Sequence, residues 1–547
     1  MKGFFLNITL LVLVIFGFSS SGCEQTPEPT PYIAGVVIDE IGPVAGATVR
    51  IQATTNATLT DANGRFVLTG ISVGESVTVS AWKEGYYCAK VDNRSRRLIS
   101  PPASDVSLTL RLYQTYDNPD YTWMPPTEED SYSYADSCAS CKPAVTEVWL
   151  NNAHAGSANN SRFLSMYNGT DVNGNQSGPG FKIDYPDSAG NCAACHIPGA
   201  AVDDPNGIDP NEVTGPDSFG IHCDYCHKVA DVYLDDSSGL PYKDMPGVLS
   251  SDIRRPFPDD PERYQLFFGT FDDDNVPEED TYLPLIKESQ FCAPCHFGNV
   301  FGDTIVYNSF GEWLESSYSD PETGMTCQDC HMPSPTIYSG EPLTNVAPRK
   351  GGIERDPLTI HAHLQLGTMD SEFLQNAVTM EVDATREDNT VTVNVSITND
   401  NTGHHIPTDS PLRHMILLVQ AKDESGEELL PLDGPIVPEW VGEGNPDEGY
   451  YAGLPGKAYA KVLQEVRTGI IPSGAYWNKT QIVSDNRIAA FASDNSTYTF
   501  WTPENGTTDV TVTLLFRRAF IELMDQKGWN TPDIIMAQES ISIGNGD

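Results

Sequence analysis

Runs in which apolar and polar residues alternate occur near both ends of the chain. A period of two is typical of strands that bury one face, and turn-forming stretches such as Asp61-Ala-Asn-Gly64 separate the N-terminal runs. This pattern predicts a small antiparallel β-sandwich over residues 32–113. Its predicted strands are Ile33–Ile38, Ala47–Ile51, Arg65–Leu68 and Val77–Ala81.

The same alternation of apolar and polar residues occurs again beyond Asn376. Together with a short helix near Ala519–Lys527, it predicts an immunoglobulin-like β-sandwich with long loops over residues 376–547. The loop Gly403–Thr408 lies between two of these strands, and we expect it to lean back onto the preceding domain. The predicted strands are Thr379–Asp383, Val391–Thr398, His414–Gln420 and Val510–Phe516.

The segment between the two sandwiches, residues 114–375, carries five Cys-x-x-Cys pairs. Two thiols that capture vinyl groups, with an adjacent imidazole for the iron, are what a covalently bound haem requires. We therefore predict a multidomain chain whose central domain is mostly α-helical or irregular and holds five c-type haems. The motif residues are Cys138, Cys141 and Lys142; Cys192, Cys195 and His196; Cys223, Cys226 and His227; Cys292, Cys295 and His296; and Cys327, Cys330 and His331.

Other uses of paired cysteines explain the motifs less well. Structural zinc sites usually take two such pairs per metal, which would leave one pair over, and zinc does not require histidine at the next position. Disulfides and thioredoxin-like redox pairs do not explain the histidines either. Of the twelve cysteines, ten lie in the motifs and only Cys88 and Cys23 remain.

Seven histidines lie outside the motifs and are candidates for the second axial ligand of each iron. Imidazole on both faces suits electron transfer, because it leaves the iron with no vacant position. His414 lies in an apolar run and is predicted to be a packed strand residue. The other candidates form four clusters for five haems, so one iron is left without a predicted second ligand. These candidates are His154, His222, His361 or His363, and His404 or His405.

The first residues have the features of an export signal. An apolar run, Phe4–Phe18, precedes small residues and Cys23, which predicts a lipoprotein-type signal peptide over residues 1–23 and a lipid-modified Cys23. An uncleaved anchor or an ordinary secretory signal is the alternative, because serine replaces the usual leucine of the lipobox. A stiff proline-rich linker follows at residues 24–31. All these options place the protein outside the cytoplasmic membrane, in the periplasm or at the cell surface.

The charge of the chain limits its partners. A formal net charge of -44 argues against binding to nucleic acid or to anionic lipid through the polypeptide, because both need a positive surface. Such a field could steer basic electron-transfer partners, although solubility explains it equally well. The sequence does not determine the oligomeric state.

Two segments resemble known families. Gly35-Val-Val, Pro43-Val-Ala-Gly-Ala-Thr-Val, Thr60-Asp-Ala-Asn-Gly-Arg-Phe and Gly85-Tyr86 resemble the carboxypeptidase regulatory-like domain, which implies a spacer or adhesion module without catalysis. The stretch from Cys138-Ala-Ser-Cys-Lys to Cys327-Gln-Asp-Cys-His-Met-Pro333 resembles multihaem cytochromes of the cytochrome c-552/4 type over residues 131–370. That resemblance implies respiratory electron transfer, and it implies that His154 binds a haem other than that of its own motif.

The lysine of the first motif supports a weaker resemblance. A Cys-x-x-Cys-Lys haem, first of five, resembles the pentahaem ammonia-forming nitrite reductases, which would make Lys142 the proximal ligand of a catalytic haem. The Tyr-rich continuation and the Gln-x-His element of that family are missing here, so no catalytic residue is assigned. In the cytochrome c-552/4 type, the first motif normally ends in histidine.

We therefore predict an exported pentahaem cytochrome c that carries electrons between a membrane-side donor and an external acceptor. One alternative is a reductase of nitrite, hydroxylamine or a similar small nitrogen substrate at the Lys142 haem. The other is a subunit of a haem filament.

Overall fold

The computed structural model describes residues 31–72, 74–90, 98–127, 137–257, 265–273, 279–298 and 304–544. The predicted signal peptide, Cys23 and nearly all of the linker lie outside the described residues. Within the described part of the chain, no helix has the length and apolar character needed to cross a membrane.

The N-terminal domain consists of two β-sheets around one apolar core. One sheet has the order β4-β1-β7 and the other the order β3-β2-β5-β6. Strand Arg65–Leu68 alternates exposed and buried residues, which places Phe66 and Leu68 in the core. The strands are β1 (Ile33–Ile38), β2 (Thr48–Ile51), β3 (Ala57–Leu59), β4 (Arg65–Leu68), β5 (Val79–Trp82), β6 (Ala89–Lys90) and β7 (Ala103–Thr109).

The expectation of a wholly antiparallel sandwich is wrong at one pair of strands, because β1 and β7 pair in parallel. Strand β7 follows β6 of the other sheet, so the chain crosses between sheets before it pairs with β1, and a crossover is what a parallel pair requires. The approach is close at Gly35, where an added Cβ would lie 1.9 Å from the Val106 carbonyl oxygen.

The N-terminal domain packs directly against the central region. Arg50 forms an ion pair of 2.7 Å with Asp272. The Trp82 indole donates a hydrogen bond of 3.0 Å to the Thr281 hydroxyl oxygen, and the Tyr87 hydroxyl donates one of 2.9 Å to the Gln265 carbonyl oxygen. These contacts seat the domain on the outer wall of the region that carries the cysteine motifs.

The central region contains short helices and two-stranded ribbons. A single helical turn at each motif places the two cysteines, three residues apart, on one face. Thr326 and Asp329 form a capping box that begins the last motif helix. The helices are α1 (Cys138–Cys141), α2 (Pro143–Leu150), α3 (Ser161–Asn168), α4 (Phe181–Asp184), α5 (Ala193–His196), α6 (Pro198–Ala201), α7 (Cys223–Cys226), α8 (Ala293–His296), α9 (Ser309–Leu314), α10 (Cys327–His331) and α11 (Ser371–Gln375). The ribbons pair β8 (Val229–Val232) with β9 (Ser251–Ile253), β10 (Phe267–Gly269) with β11 (Asp280–Tyr282), and β12 (Ile337–Tyr338) with β13 (Glu341–Pro342).

The C-terminal part is built from two four-stranded sheets that share one apolar core. Their orders are β14-β15-β21-β17 and β18-β16-β22-β23, and a hairpin of β19 and β20 stands beside them. The strands are β14 (Thr379–Glu387), β15 (Thr390–Thr398), β16 (His414–Asp423), β17 (Pro431–Asp433), β18 (Gly456–Tyr459), β19 (Lys461–Glu465), β20 (Thr480–Asp485), β21 (Ser493–Trp501), β22 (Thr508–Arg517) and β23 (Ile534–Ile543), and helix α12 (Ile521–Lys527) precedes β23.

Helix α12 anchors the C-terminal part to the central region. The side chain of its last residue, Lys527, is fully buried, and its ammonium group donates to the carbonyl oxygens of Ser165, Thr170, Ser177 and Pro179 at 2.5–3.3 Å. All four acceptors lie in the segment around α3 and α4. The two parts are therefore joined by a buried polar contact as well as by apolar packing.

Candidate functional site

A cavity of about 1460 Å³ lies in the central region and is bordered by four of the five motifs. The second motif, Cys192–His196, is not among its lining residues. The loop between β15 and β16, which belongs to the C-terminal part, also lines the cavity. Residues that follow α10 in the central region line it as well. The motif residues that line it are Cys138, Cys141 and Lys142; Cys223, Cys226 and His227; Cys292, Cys295 and His296; and Cys327, Cys330 and His331.

Cysteines of different motifs contact one another. The Cys138 thiol is within hydrogen-bonding distance of the Cys223 thiol. The Cys292 thiol is within the same distance of the Cys327 thiol. Cys195 contacts Cys295 in the same way, which brings the second motif next to the fourth. The first motif therefore adjoins the third, and the fourth adjoins both the second and the fifth.

Three motif histidines face a second imidazole across the cavity. The ring centres are 6.3 Å apart for His227 and His363, 6.4 Å for His296 and His154, and 6.3 Å for His331 and His404. A metal–imidazole bond is about 2 Å long, so two imidazoles on opposite faces of one metal have ring centres roughly 6 Å apart. Each pair therefore has the spacing that one bound iron needs, and the residues fit the haem that the motifs imply.

Two family models match the sequence. The carboxypeptidase regulatory-like domain matches residues 32–110, and the family described as cytochrome c554 and c-prime matches residues 137–228. Among solved structures, a penta-heme cytochrome c552 from Thermochromatium tepidum aligns with 74% of this chain and 97% of its own, at 17% identity and a TM-score of 0.51. That likeness shows the fold.

This chain has the fold of a multihaem cytochrome c, and its residues 137–228 match a cytochrome c family.

Its N-terminal domain is a carboxypeptidase regulatory-like domain. Two other solved structures match smaller parts of this chain. A cohesin-X-dockerin complex from Acetivibrio cellulolyticus covers 14% of this chain and 51% of its own, at 24% identity and a TM-score of 0.12. A PapD-like domain of human CEP192 covers 31% and 84%, at 9% identity and a TM-score of 0.13. No curated protein matches the chain.

Hydrogen bonds orient the motif histidines of the cytochrome. His227 donates from Nδ1 to the Phe268 carbonyl oxygen at 2.6 Å, and His331 donates to that of Leu366 at 2.5 Å. A donating Nδ1 leaves Nε2 as the atom that can bind metal. His296 differs, because its Nδ1 lies 3.3 Å from the Asp409 carboxylate.

Burial sets the protonation of most of these rings. It lowers the pKa of His154 and His331 to about 4, and that of His363 to about 3. These imidazoles are therefore neutral at neutral pH, which is the form that binds a metal. For His296, burial lowers the pKa, but the Asp409 carboxylate raises it, with a net value of about 9.

Lys142 follows helix α1 and lines the cavity. Burial lowers its pKa, and the neighbouring Asp280 carboxylate opposes that effect. An amine must lose its proton to bind iron, and desolvation favours that loss. The environment of Lys142 therefore suits the role of axial ligand that its place in the motif predicts.

The remaining candidate histidines have other surroundings. The ring of His196 stacks on Phe163, with centres 3.9 Å apart. His361 lines the cavity and donates from Nδ1 to the Met332 carbonyl oxygen at 3.0 Å. His405 lies beside Glu312 at 3.7 Å and is partly exposed. His414 is buried and stacked on Phe520, which is the packing predicted for it.

His222, which is also predicted to be an axial ligand, contacts two protein groups through its ring. Its Nδ1 accepts a hydrogen bond of 3.2 Å from the Tyr225 amide, and its Nε2 lies 3.3 Å from the Asp217 carboxylate. Both ring nitrogens are thus engaged within the protein, and the side chain is fully buried. His222 acts as the N-cap of α7.

Sequence reasoning missed two residues that contact motif histidines. Asp409 follows the loop that carries His404 and His405, and Phe163 lies on helix α3. Neither has a sequence signature, because both contacts join residues far apart in the chain.

Proposed function

We propose that the cytochrome is an exported pentahaem electron carrier that moves electrons between a membrane-side donor and an external acceptor. The observation that carries this proposal is the set of three histidine pairs, each spaced to hold one iron from both sides. Iron that is bound in this way has no vacant position for a substrate, which favours electron transfer. Haem supplies the redox chemistry, and the polypeptide holds, orients and shields it.

Each pair is assigned to one motif. His227 and His363 serve the third motif, His296 and His154 the fourth, and His331 and His404 the fifth. Lys142 serves the first motif and His196 the second, which gives a count of five haems. The cysteine contacts support two groups of neighbouring haems: the first motif with the third, and the fourth motif with both the second and the fifth.

The cellular setting is part of the same proposal. Covalent haem attachment occurs on the export side, and the leader sequence supports lipid modification at Cys23 and a place in the periplasm or on the cell surface. We also propose an immunoglobulin-like assignment for the C-terminal sandwich. Its role is to supply the loop with His404.

Mass spectrometry and low-temperature EPR of the holoprotein test the proposal. We expect a mass that exceeds the mature polypeptide by five haems, and low-spin ferric signals from at least three bis-histidine sites. A colourless protein with the mass of its amino acids alone would overturn the assignment. A mostly high-spin spectrum would overturn electron carriage as the main function.

A reductase is the second candidate function. The three histidine pairs leave Lys142 without an assigned partner, and Lys142 lies in the cavity with its amine buried. A haem at this motif would then offer one open face to a small nitrogen substrate. Oxidation of a reduced viologen that depends on nitrite or hydroxylamine, and that Lys142→His changes while haem content stays full, would favour catalysis. Absence of turnover in the fully loaded wild type would exclude it.

A further inference from the structure

The Nδ1 acceptors of the motif histidines differ in charge. His227 and His331 donate to backbone carbonyl oxygens, which are neutral. His296 faces the carboxylate of Asp409, whose side chain is 18% exposed. A carboxylate that accepts from a metal-bound imidazole makes that imidazole a stronger electron donor, and this stabilises the more positive state of the metal.

The fold holds Asp409 in this position. Asp409 lies between β15 and β16 and adopts a left-handed backbone conformation with φ of 68°. Glu312 of α9 fixes the loop before it, because one carboxylate oxygen accepts hydrogen bonds from the His405 amide at 3.2 Å and the Thr408 hydroxyl at 2.6 Å. Arg487 forms an ion pair of 2.8 Å with the other oxygen of Glu312.

Other charges near Asp409 are weaker influences. Arg413 is within electrostatic range of Asp409, but its guanidinium donates to the Thr408 carbonyl oxygen at 3.2 Å. His404 also faces Asp409 and is paired across the cavity with His331. The closest charged contact of the carboxylate is therefore with His296, at 3.3 Å.

We propose that Asp409 is a positioning residue that gives the haem at His296 the lowest reduction potential of the three bis-histidine haems. This inference rests on the proposed function, because it assumes haem at the fourth motif. The fourth motif adjoins both the second and the fifth. Electrons would then reside mainly on the haems of the second and fifth motifs and only briefly on the haem of the fourth. Asp409 would thereby control electron transfer between the second and fifth motifs.

A redox titration of the holoprotein, followed by EPR, tests the inference. In Asp409→Asn we expect the oxidised-to-reduced equilibrium of the lowest-potential low-spin haem to shift at least tenfold toward the reduced form, which is about 59 mV for one electron. Asparagine tolerates a left-handed backbone, so the substitution preserves the loop. The variant His154→Met identifies the signal that belongs to the His296 pair, because it removes the partner ring.

Three further variants make the result decisive. Asp409→Glu retains a carboxylate and should keep the signal close to the wild type. Arg413→Gln removes a nearby positive charge and should lower the same potential, which tests the idea even if Asp409→Asn binds haem poorly. Asp423→Asn, in a surface turn of the same domain, should change no potential.

Two results would overturn the inference while leaving the proposed function intact. One is an unchanged potential for the His296 signal in both Asp409→Asn and Arg413→Gln with full haem content. The other is an equal shift of all haems in Asp409→Asn. A wild-type protein that binds no haem would instead refute the proposed function.

Discussion

At the scale of single residues, the site depends on pairs of imidazoles whose ring centres lie 6.3–6.4 Å apart. His363 and His361 are two positions apart, yet only His363 pairs with a motif histidine at the spacing of a shared metal among the ring contacts described. His404 and His405 differ in the same way, because His404 faces His331 while His405 turns toward Glu312. The structure therefore distinguishes neighbours that the sequence left equivalent.

Substitution of His363 should open the haem of the third motif. We expect His363→Ala to convert one low-spin ferric signal to high spin and to let carbon monoxide bind the reduced protein. EPR and optical spectra measure both effects. His361→Ala is the matched control and should retain the low-spin signal; the opposite outcome would exchange the two assignments.

The pair in the C-terminal loop allows a second comparison. His404→Ala should produce a high-spin signal and carbon monoxide binding at the fifth motif, since it removes the ring opposite His331. His405→Ala should leave the spin state unchanged. Equal spectra for the two variants would contradict the assignment of His404.

At the scale of elements, Glu312 joins helix α9 to the loop before β16 by hydrogen bonds and forms a buried ion pair with Arg487, which follows β20. The side chains of Glu312 and Arg487 are 1% and 4% exposed, and Glu312 also accepts from the loop. Removing one partner of such a pair leaves an uncompensated buried charge, and this costs more than the loss of an exposed pair. The element that carries His404 and Asp409 is thus fixed from the central region.

Glu312→Gln should therefore destabilise the protein. We expect the free energy of unfolding to fall by about 2 kcal/mol, because Arg487 would keep only one of its two carboxylate partners, Asp485, and the loop would lose a charged acceptor. Asp494→Asn is the control, since its ion pair with Lys457 is more exposed and should contribute less than about 1 kcal/mol. Denaturant unfolding followed by circular dichroism compares them, and equal losses would refute this account.

At the scale of the whole molecule, the three parts form a continuous assembly. The N-terminal domain contacts the central region through Arg50 and Asp272, and Lys527 of the C-terminal part donates to four carbonyl oxygens of the central region. Unsatisfied buried carbonyl groups are costly, so this lysine stabilises the junction between the two parts.

Lys527→Met should weaken that junction. Methionine fills similar space but offers no donor, so we expect the free energy of unfolding to fall by at least about 2 kcal/mol. Lys422→Met, at an exposed strand position, should have little effect. Unfolding in denaturant checks both variants, and a neutral result for Lys527→Met would show that the carbonyl oxygens find other donors.

The local alternation of apolar and polar residues was enough to predict several strands. The pairing of strands and of histidines could be seen only in the folded chain. Strands Ile33–Ile38 and Arg65–Leu68 have the predicted bounds because alternation alone specifies them. The parallel pairing of β7 with β1 depends on a crossover that no local pattern encodes. His154 meets His296, and Asp409 meets the same ring, only through tertiary contacts. The contacts of His222 with Asp217 and the Tyr225 amide are likewise visible only in the folded chain.

The placement of His404 opposite His331 has a consequence for how the protein unfolds. One ring belongs to the last cysteine motif and the other to a loop of the C-terminal sheets, so a metal between them would staple two regions of the chain together. Coordination energy then becomes folding energy. Unfolding of the C-terminal sheets would remove His404 from the metal. The visible absorption spectrum of the haem would therefore report the unfolding of a domain that has no haem motif.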